Sequence, residues 1–546
     1  MCRPIRRVFI LLALPLGAAV GVEVSAAFPP GELTLQKATE LHAKDLGDQK
    51  EAIATGLAKL DDLAKQKGPQ DEVLKAGLAL EGLFEKQHQS ELDHLRLLDL
   101  PQRKSNPAKT AIKTLDKWLT AARLPAHLPF KSDSPILDDY DYSGVEEYVR
   151  AVPKDAEKSI AALAAYLAKG TKNDREKAWA ISTWITENLA YDYDELKKDK
   201  RDQRPETALA SKAAVCEGIS KLYVALAQAL KLEVAYVIGR DRQPDQPNAD
   251  LLKFSILSAD KIVKGGHAWN VIKIKGKWYM VDLTRANGRA KNNGAITVKR
   301  MTQSVYYLIP PHWMIYTHVP EDTSFQCMNN PVAKADADRL PLLDPAYFIL
   351  KLKMETSAVP ALIVKDESRV IVEVPPDVTL IARLIQNGDM VPGDHHFIQR
   401  TGKSVLVRTL YPQSGVYVLS LFARKTAAKD NVFQRVTTYR VEATVSGKEA
   451  PVLPQLPPNY HAKGACLYLP QTGILKAAQV QQFAVRLPGA MKAGIFLGKS
   501  TVPLPLQRYG ELFVGKAKVE AGPVKLGAEY PDKANLYWHM VHFEAK

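Results

Sequence analysis

Cys216, His267 and Asp282 follow one another along the chain, and the residues around each one mark an ordered element. Cys216 opens a helical pattern in Val215-Cys-Glu-Gly-Ile-Ser, and His267 heads an alternating run in Gly266-His-Ala-Trp-Asn-Val. Asp282 closes the next run, in Trp278-Tyr-Met-Val-Asp-Leu-Thr. A thiol, an imidazole and a carboxylate are the nucleophile, base and orienting group of cysteine acyl transfer. Together they would attack a carbonyl carbon and carry the acyl group as a thioester.

Periodicity says how such residues could meet. From Cys216, the apolar positions Ile219, Leu222, Tyr223, Leu226 and Leu230 recur at helical spacing, so the cysteine lies on the side of the buried stripe. It starts the helix, where free backbone N–H groups and the positive end of the dipole favour a thiolate and can bind an oxyanion. His267 to Ile274 and Lys277 to Leu283 alternate around Lys275-Gly276, which predicts a hairpin with Ile274 opposite Lys277. Asp282 then stands opposite Trp269, and His267 is its diagonal neighbour on the same face, about 7–8 Å away at Cα. A one-residue slip would separate the two. Taken singly, a cysteine in an amphipathic helix is a small buried hydrophobe, and a hairpin His–Asp pair can be structural. The three together favour a site. Tyr191, Glu217, Trp269 and Arg285 are the candidate cleft-lining residues. The polar loop from Arg240 to about Asp250 is a candidate lid, and Gly265-Gly266 lets the chain bend just before His267.

The stretches that carry these residues resemble one family. They are Lys177-Ala-Trp-Ala-Ile-Ser-Thr-Trp-Ile-Thr-Glu-Asn-Leu-Ala-Tyr-Asp192, Val215 to Tyr223, His267 to Val271 and Trp278 to Thr284. They are similar to the transglutaminase-like superfamily, and within it to the kyphoscoliosis peptidase group. Tyr306-Tyr-Leu-Ile-Pro-Pro, Tyr316-Thr-His-Val-Pro-Glu-Asp and Phe325-Gln326 resemble that group's segment beyond the catalytic residues. The resemblance covers roughly residues 136 to 330. It implies a papain-like α+β core whose cysteine helix packs on an antiparallel sheet bearing the His and Asp, with the triad roles falling on Cys216, His267 and Asp282. One departure is Arg285, where the family usually has Trp after Asp-Leu-Thr; this alters the shape or charge of the adjoining pocket.

The first residues, Met-Cys-Arg-Pro-Ile-Arg-Arg, an apolar run from Val8 to Val22 and the small-residue end Ser25-Ala-Ala27 read as a secretory signal cleaved after Ala27. The run is short and holds Pro15 and Gly17, which disfavours a permanent anchor. Cys2 precedes the run, whereas a lipoprotein attachment cysteine would follow it. A soluble secreted or periplasmic protein is expected, with no stable membrane span after cleavage. Loss of Cys2 leaves Cys216, Cys327 and Cys466, an odd number in an oxidising compartment, so at least one thiol is free or bridges to another chain. Cys327 and Cys466 could still pair. No metal-ligand spacing and no glycine-rich phosphate loop is visible, so neither cofactor nor metal is expected.

Formal net charge is +14 from 74 Lys and Arg against 60 Asp and Glu. This charge suits either an ordinary solvated surface or an anionic cell-envelope component, and no nucleic-acid module accompanies it.

The chain divides into a signal (1–27), a helical region (28–123), a proline-containing linker (124–135), the α+β core (136–340) and two β-domains (341–448 and 449–546). In the helical region, Ile53, Leu57, Leu60 and Leu63 repeat at helical spacing, with breaks near Lys67-Gly-Pro and Leu100-Pro101. A small bundle or hairpin fits, as does a partner-binding arm. In the core, Trp179 and Trp184 read as packing residues on a helix. Beyond Pro341, Val370 to Leu380 and Gln482 to Lys492 look like one repeated unit: strand, proline corner, strand. Strands at this spacing predict two immunoglobulin-like β-sandwiches, and similar β-domains follow the core in the group the sequence resembles.

The expected function is an exported thiol enzyme acting on protein or peptide amide bonds, with water or an amine as acceptor. Two other readings stand beside it: a non-enzymatic binding or scaffold protein that keeps the fold, and action on peptidoglycan peptides.

Overall fold

The computed structural model describes residues 35–65, 70–98, 140–198, 201–242, 266–298, 303–337, 340–356, 359–428, 432–446, 452–533 and 535–546. The expected signal, the 124–135 linker, the lid beyond Arg242 and Gly265 lie outside the described residues. Helices, an α+β core and two all-β domains follow in chain order, as the sequence pattern predicts.

The core is built on helices α3 (Ile160–Lys169), α4 (Asp174–Asn188) and α5 (Cys216–Ala229). Their starts are set by side chains. Ser159 accepts from Ala162 N to cap α3, and Asn173 accepts from Glu176 N to cap α4. Just before α3 the chain makes a 3₁₀ turn, Lys154–Lys158, set off from the helix by the extended cap residue Ser159. Trp179 and Trp184 are buried on α4, with their indole N–H groups bonded to Glu146 at 3.2 Å and Glu157 at 3.0 Å.

On α5, Ile219, Leu222, Tyr223 and Leu226 are buried, and the helix lies against β3 (Val234–Asp241) and β4 (Gly266–Ile274). Each such side chain contributes about 1.5–3 kcal/mol by leaving water. This stripe therefore sets how the cysteine helix lies on the sheet. The sheet order is β5-β4-β3-β8, antiparallel throughout, with β5 at Lys277–Val281 and β8 at His318–Pro320. The β4–β5 register runs from Ile274 opposite Lys277 to Asn270 opposite Val281. Its turn, Lys275-Gly276, has positive φ at both residues (50° and 77°), the geometry that matches strand twist in a two-residue hairpin.

A second small sheet has the order β2-β1-β6-β7: β1 is Ala190–Asp192, β2 Ala213–Ala214, β6 Arg289–Asn292 and β7 Ala295–Val298. It brings β1, which carries Tyr191, beside β2, which leads into Cys216.

The first β-domain packs two sheets. The strand Glu367–Glu373 lies in one and Val378–Gln386 in the other, so the corner Val374-Pro-Pro-Asp377 crosses between them. Proline has no N–H for a ladder, which ends pairing there. In the second β-domain a similar proline corner separates Val480–Arg486 from Lys492–Leu497, but there both strands belong to one continuous eight-stranded sheet, with two strands between them.

The core and the first β-domain share one continuous apolar cluster. At their junction the Asp344 carboxylate accepts from Tyr306 Oη at 2.8 Å and from two nitrogens of Arg435, both at 2.9 Å.

The N-terminal helices form an antiparallel hairpin, α1 (Leu35–Lys65) and α2 (Gln70–Leu98), whose apolar face is covered by the β-domains. Phe84 stacks on Tyr468 at 4.8 Å, and Lys516 pairs with Asp61. Leu92 packs on Ile371 and Leu406 of the first β-domain. The apolar face read as that of a bundle, hairpin or arm is thus packed on the β-domains.

Asp344→Ala strips a buried guanidinium and a phenol of their shared acceptor. It should destabilise the protein by about 3 kcal/mol, read from the urea midpoint, with Asp344→Asn intermediate. A midpoint equal to the wild type's would show that the junction contributes nothing.

Candidate active site

Cys216 is the first residue of α5, Val215 is its N-cap, and a valine side chain cannot accept a hydrogen bond. Gln203 takes over that work from the preceding loop. Its buried Oε1 accepts from Val215 N at 3.2 Å and Gly218 N at 3.1 Å. A Cβ at residue 218 would lie 2.6 Å from that oxygen and 2.8 Å from Ala214 Cβ, which explains glycine in Cys-Glu-Gly. Among the described residues the N–H groups of Cys216 and Glu217 keep no partner, so the helix start offers donors beside the sulfur. Sequence reading missed Gln203, because capping from another segment leaves no local spacing.

Asn270 fixes α5 against the sheet. Its buried side-chain amide donates to Ser220 O at 3.1 Å, tying the histidine strand to the cysteine helix.

Asp282 lies just beyond β5 rather than within it. Its N–H donates to Tyr306 O at 3.0 Å instead of continuing the ladder. The carboxylate is fully buried, and its two oxygens are divided. Oδ1 accepts from Arg285 N at 3.0 Å, capping the turn Leu283–Ala286. Oδ2 accepts from His267 Nε2 at 2.7 Å and from His318 Nε2 at 2.9 Å. With Nε2 engaged, Nδ1 of His267 is left for Cys216, whose side chain lies close enough to help raise the imidazole pKa.

Burial alone would disfavour charge on His267. The Asp282 charge and hydrogen bond, the Cys216 contact and Asp241 outweigh it and push the imidazole pKa up to about 10. Burial likewise acts to raise the Asp282 pKa, but His267 and His318 together hold it far below the usual carboxylate range.

The four cleft candidates fall in different places. Tyr191 is half-buried and close enough to Cys216 and Arg285 to feel their charges, and burial raises its phenol pKa. Glu217 is half-exposed and paired with Lys221 at 2.6 Å. Arg285 grips Asp241 through Nε at 2.7 Å and a second nitrogen; burial opposes its charge, but Asp241 outweighs it. The positive charge at the family's tryptophan position is thus neutralised within the protein.

Trp269, expected to line the cleft, is instead buried. It is 1% exposed and lies beneath the site, stacked 6.0 Å from His267 and edge-on 5.0 Å from His318. It shares the face of His267, one pleat further along β4, where the sheet is already covered.

Tyr236 and His318 are further residues at this site. Tyr236 on β3 lies close enough to Cys216 and Glu217 to feel their charges.

Asp241, His267 and His318 hold potential metal-ligand atoms within 4.8 Å of one another. Arg285 already occupies the carboxylate and Asp282 both imidazoles, so the donor set serves internal partners.

Comparison with known proteins bears on the class. Residues 161–283 match the transglutaminase-like superfamily, and residues 334–454 match the KY-like, immunoglobulin-like domain. The chain therefore carries a transglutaminase-like domain followed by a KY-like immunoglobulin-like domain. Over 347 residues it is 20% identical to kyphoscoliosis peptidase of Homo sapiens, covering 62% of this chain and 48% of that protein. Over 337 residues it is 21% identical to cytokinesis protein 3 of Schizosaccharomyces pombe, covering 61% and 36%. The chain thus spans less than half the length of these curated relatives. A solved TGase structure is similar at 13% identity and a TM-score of 0.17, covering 36% of this chain and 42% of that one.

A raised imidazole pKa gives stability that is fully present below the unfolded value of about 6.5 and is lost as pH rises through about 10. His267→Gln should therefore cost about 3 kcal/mol at pH 5.5, and the gap to the wild type should narrow by pH 10.5. A gap that stays constant or widens in denaturant titrations would contradict the charged pair.

Proposed function

We propose that this protein is a cysteine acyl-transfer enzyme acting on protein or peptide amide bonds. The observation that carries the reading is the buried His267–Asp282 pair close to Cys216, the first residue of a helix with free N–H groups. The Cys216 thiolate attacks the carbonyl carbon, forming a C–S bond and a tetrahedral oxyanion. The Cys216 N–H is the natural first donor to that oxygen. The imidazolium of His267 passes its Nδ1 proton to the leaving nitrogen, the C–N bond breaks, and an acyl-thioester remains on Cys216. His267 then removes a proton from water or an amine, which attacks the thioester and releases the sulfur. Asp282 holds the ring through both halves of the cycle.

Water as acceptor gives a peptidase or amidase, and an amine gives a transamidase. The expected leader motivates export to the periplasm or outside the cell, and the positive charge motivates contact with an anionic envelope component. Among the described residues no helix is long and apolar enough to cross a membrane.

The thiols themselves supply the test. Cys216, Cys327 and Cys466 are all free; burial pushes the Cys327 thiol up to about 11 and the Cys466 thiol up to about 12. Limiting iodoacetamide at pH 7, followed by peptide mapping, should label Cys216 first by a wide margin. Equal labelling of the three would defeat the proposal. Amine incorporation into a glutamine-bearing protein, compared with hydrolysis in wild type and Cys216→Ala, then separates the acceptors. No turnover of either kind across a broad panel would favour a scaffold.

A further inference from the structure

His318 lies 36 residues beyond Asp282 in the chain yet shares its Oδ2 with His267. Its side chain is 1% exposed. Nδ1 lies 2.8 Å from Thr317 Oγ1, and the ring meets Trp269 at 5.0 Å and Tyr306 at 6.2 Å. An ionised carboxylate only accepts, so Nε2 must carry a hydrogen whichever way Thr317 passes its own. The two imidazole centroids are 5.6 Å apart, both against one oxygen, and Asp241 faces them from β3. Nothing in the acyl-transfer cycle uses His318, yet a buried ring with both nitrogens engaged is held in one orientation.

We propose that His318 is a positioning residue: it clamps Asp282 Oδ2 in place, and through that oxygen fixes the ring of His267 toward Cys216. Without it the carboxylate keeps the Arg285 N–H on Oδ1 and the His267 N–H on Oδ2, and it can swing about the Arg285 contact with the His267 ring following it. The inference rests on the acyl-transfer reading of the site for its consequence, though the clamp itself is a matter of hydrogen bonding.

The test compares His318→Leu, which removes the donor and roughly keeps the volume, with His318→Gln, whose amide N–H can stand where Nε2 stood. Three quantities are measured on the full chain: the melting temperature, the pH profile of Cys216 alkylation, and the downfield imidazole N–H resonance of His267 in ¹⁵N-histidine-labelled protein. The Leu variant should alkylate Cys216 at least about tenfold more slowly at pH 7, with its pH profile moved. It should also shift or lose the His267 resonance. The Gln variant should recover most of the rate and the resonance position at a similar melting temperature.

Wild-type alkylation and an unshifted resonance in the Leu variant would overturn the proposal. Equal slowing in both variants would also overturn it, since that marks packing rather than the donor. If wild-type Cys216 is not selectively reactive, the acyl-transfer reading has failed on its own, and the resonance alone decides: unshifted in the Leu variant, the clamp is wrong.

Discussion

A single buried carboxylate organises this core. Asp282 receives three hydrogen bonds, from the Arg285 N–H, His267 and His318, each from a different part of the chain. An unpaired buried carboxylate would be costly, so the loop after β5, the start of β4 and the start of β8 must all arrive together. The turn Leu283–Ala286, the β4–β5 register and the placement of β8 are the conditions under which that charge can be buried. Chemistry at Cys216 would use the same arrangement that makes burial tolerable.

The site is also tied outward. Tyr306 accepts the Asp282 N–H through its backbone and donates through its phenol to Asp344, which Arg435 of the first β-domain grips. The shared apolar cluster and this polar chain make the first β-domain part of the body that holds Asp282. The α1–α2 hairpin then braces both β-domains through separate patches around Phe84 and Leu92. The layout gives the β-domains a supporting role independent of anything they bind.

Local rules made part of this legible. The alternation around Lys275-Gly276 specifies a hairpin register because side chains repeat every two residues, and the cysteine helix shows its buried face at 3.6-residue spacing. Proline corners mark the ends of strands because proline cannot donate to a ladder. What was not legible depends on encounters between distant segments. Gln203 caps a helix it does not belong to, His318 meets Asp282 only once β8 is placed, and the amphipathic faces of α1 and α2 do not name the β-domains as their cover. Trp269 was misplaced for a related reason: face is a matter of period, whereas depth beneath the cleft is set by what covers the sheet.

The central claim is that the sulfur of Cys216 becomes covalently acylated with His267 and Asp282 in support. Mixing the protein with an activated ester such as p-nitrophenyl acetate and measuring intact mass and peptide maps within the first turnover addresses it directly. The account predicts one acetyl group per chain, on Cys216, with a matching burst of nitrophenolate that Cys216→Ala lacks and Asp282→Ala slows. An absence of adduct on Cys216, or acetylation spread evenly over other nucleophiles, would contradict it.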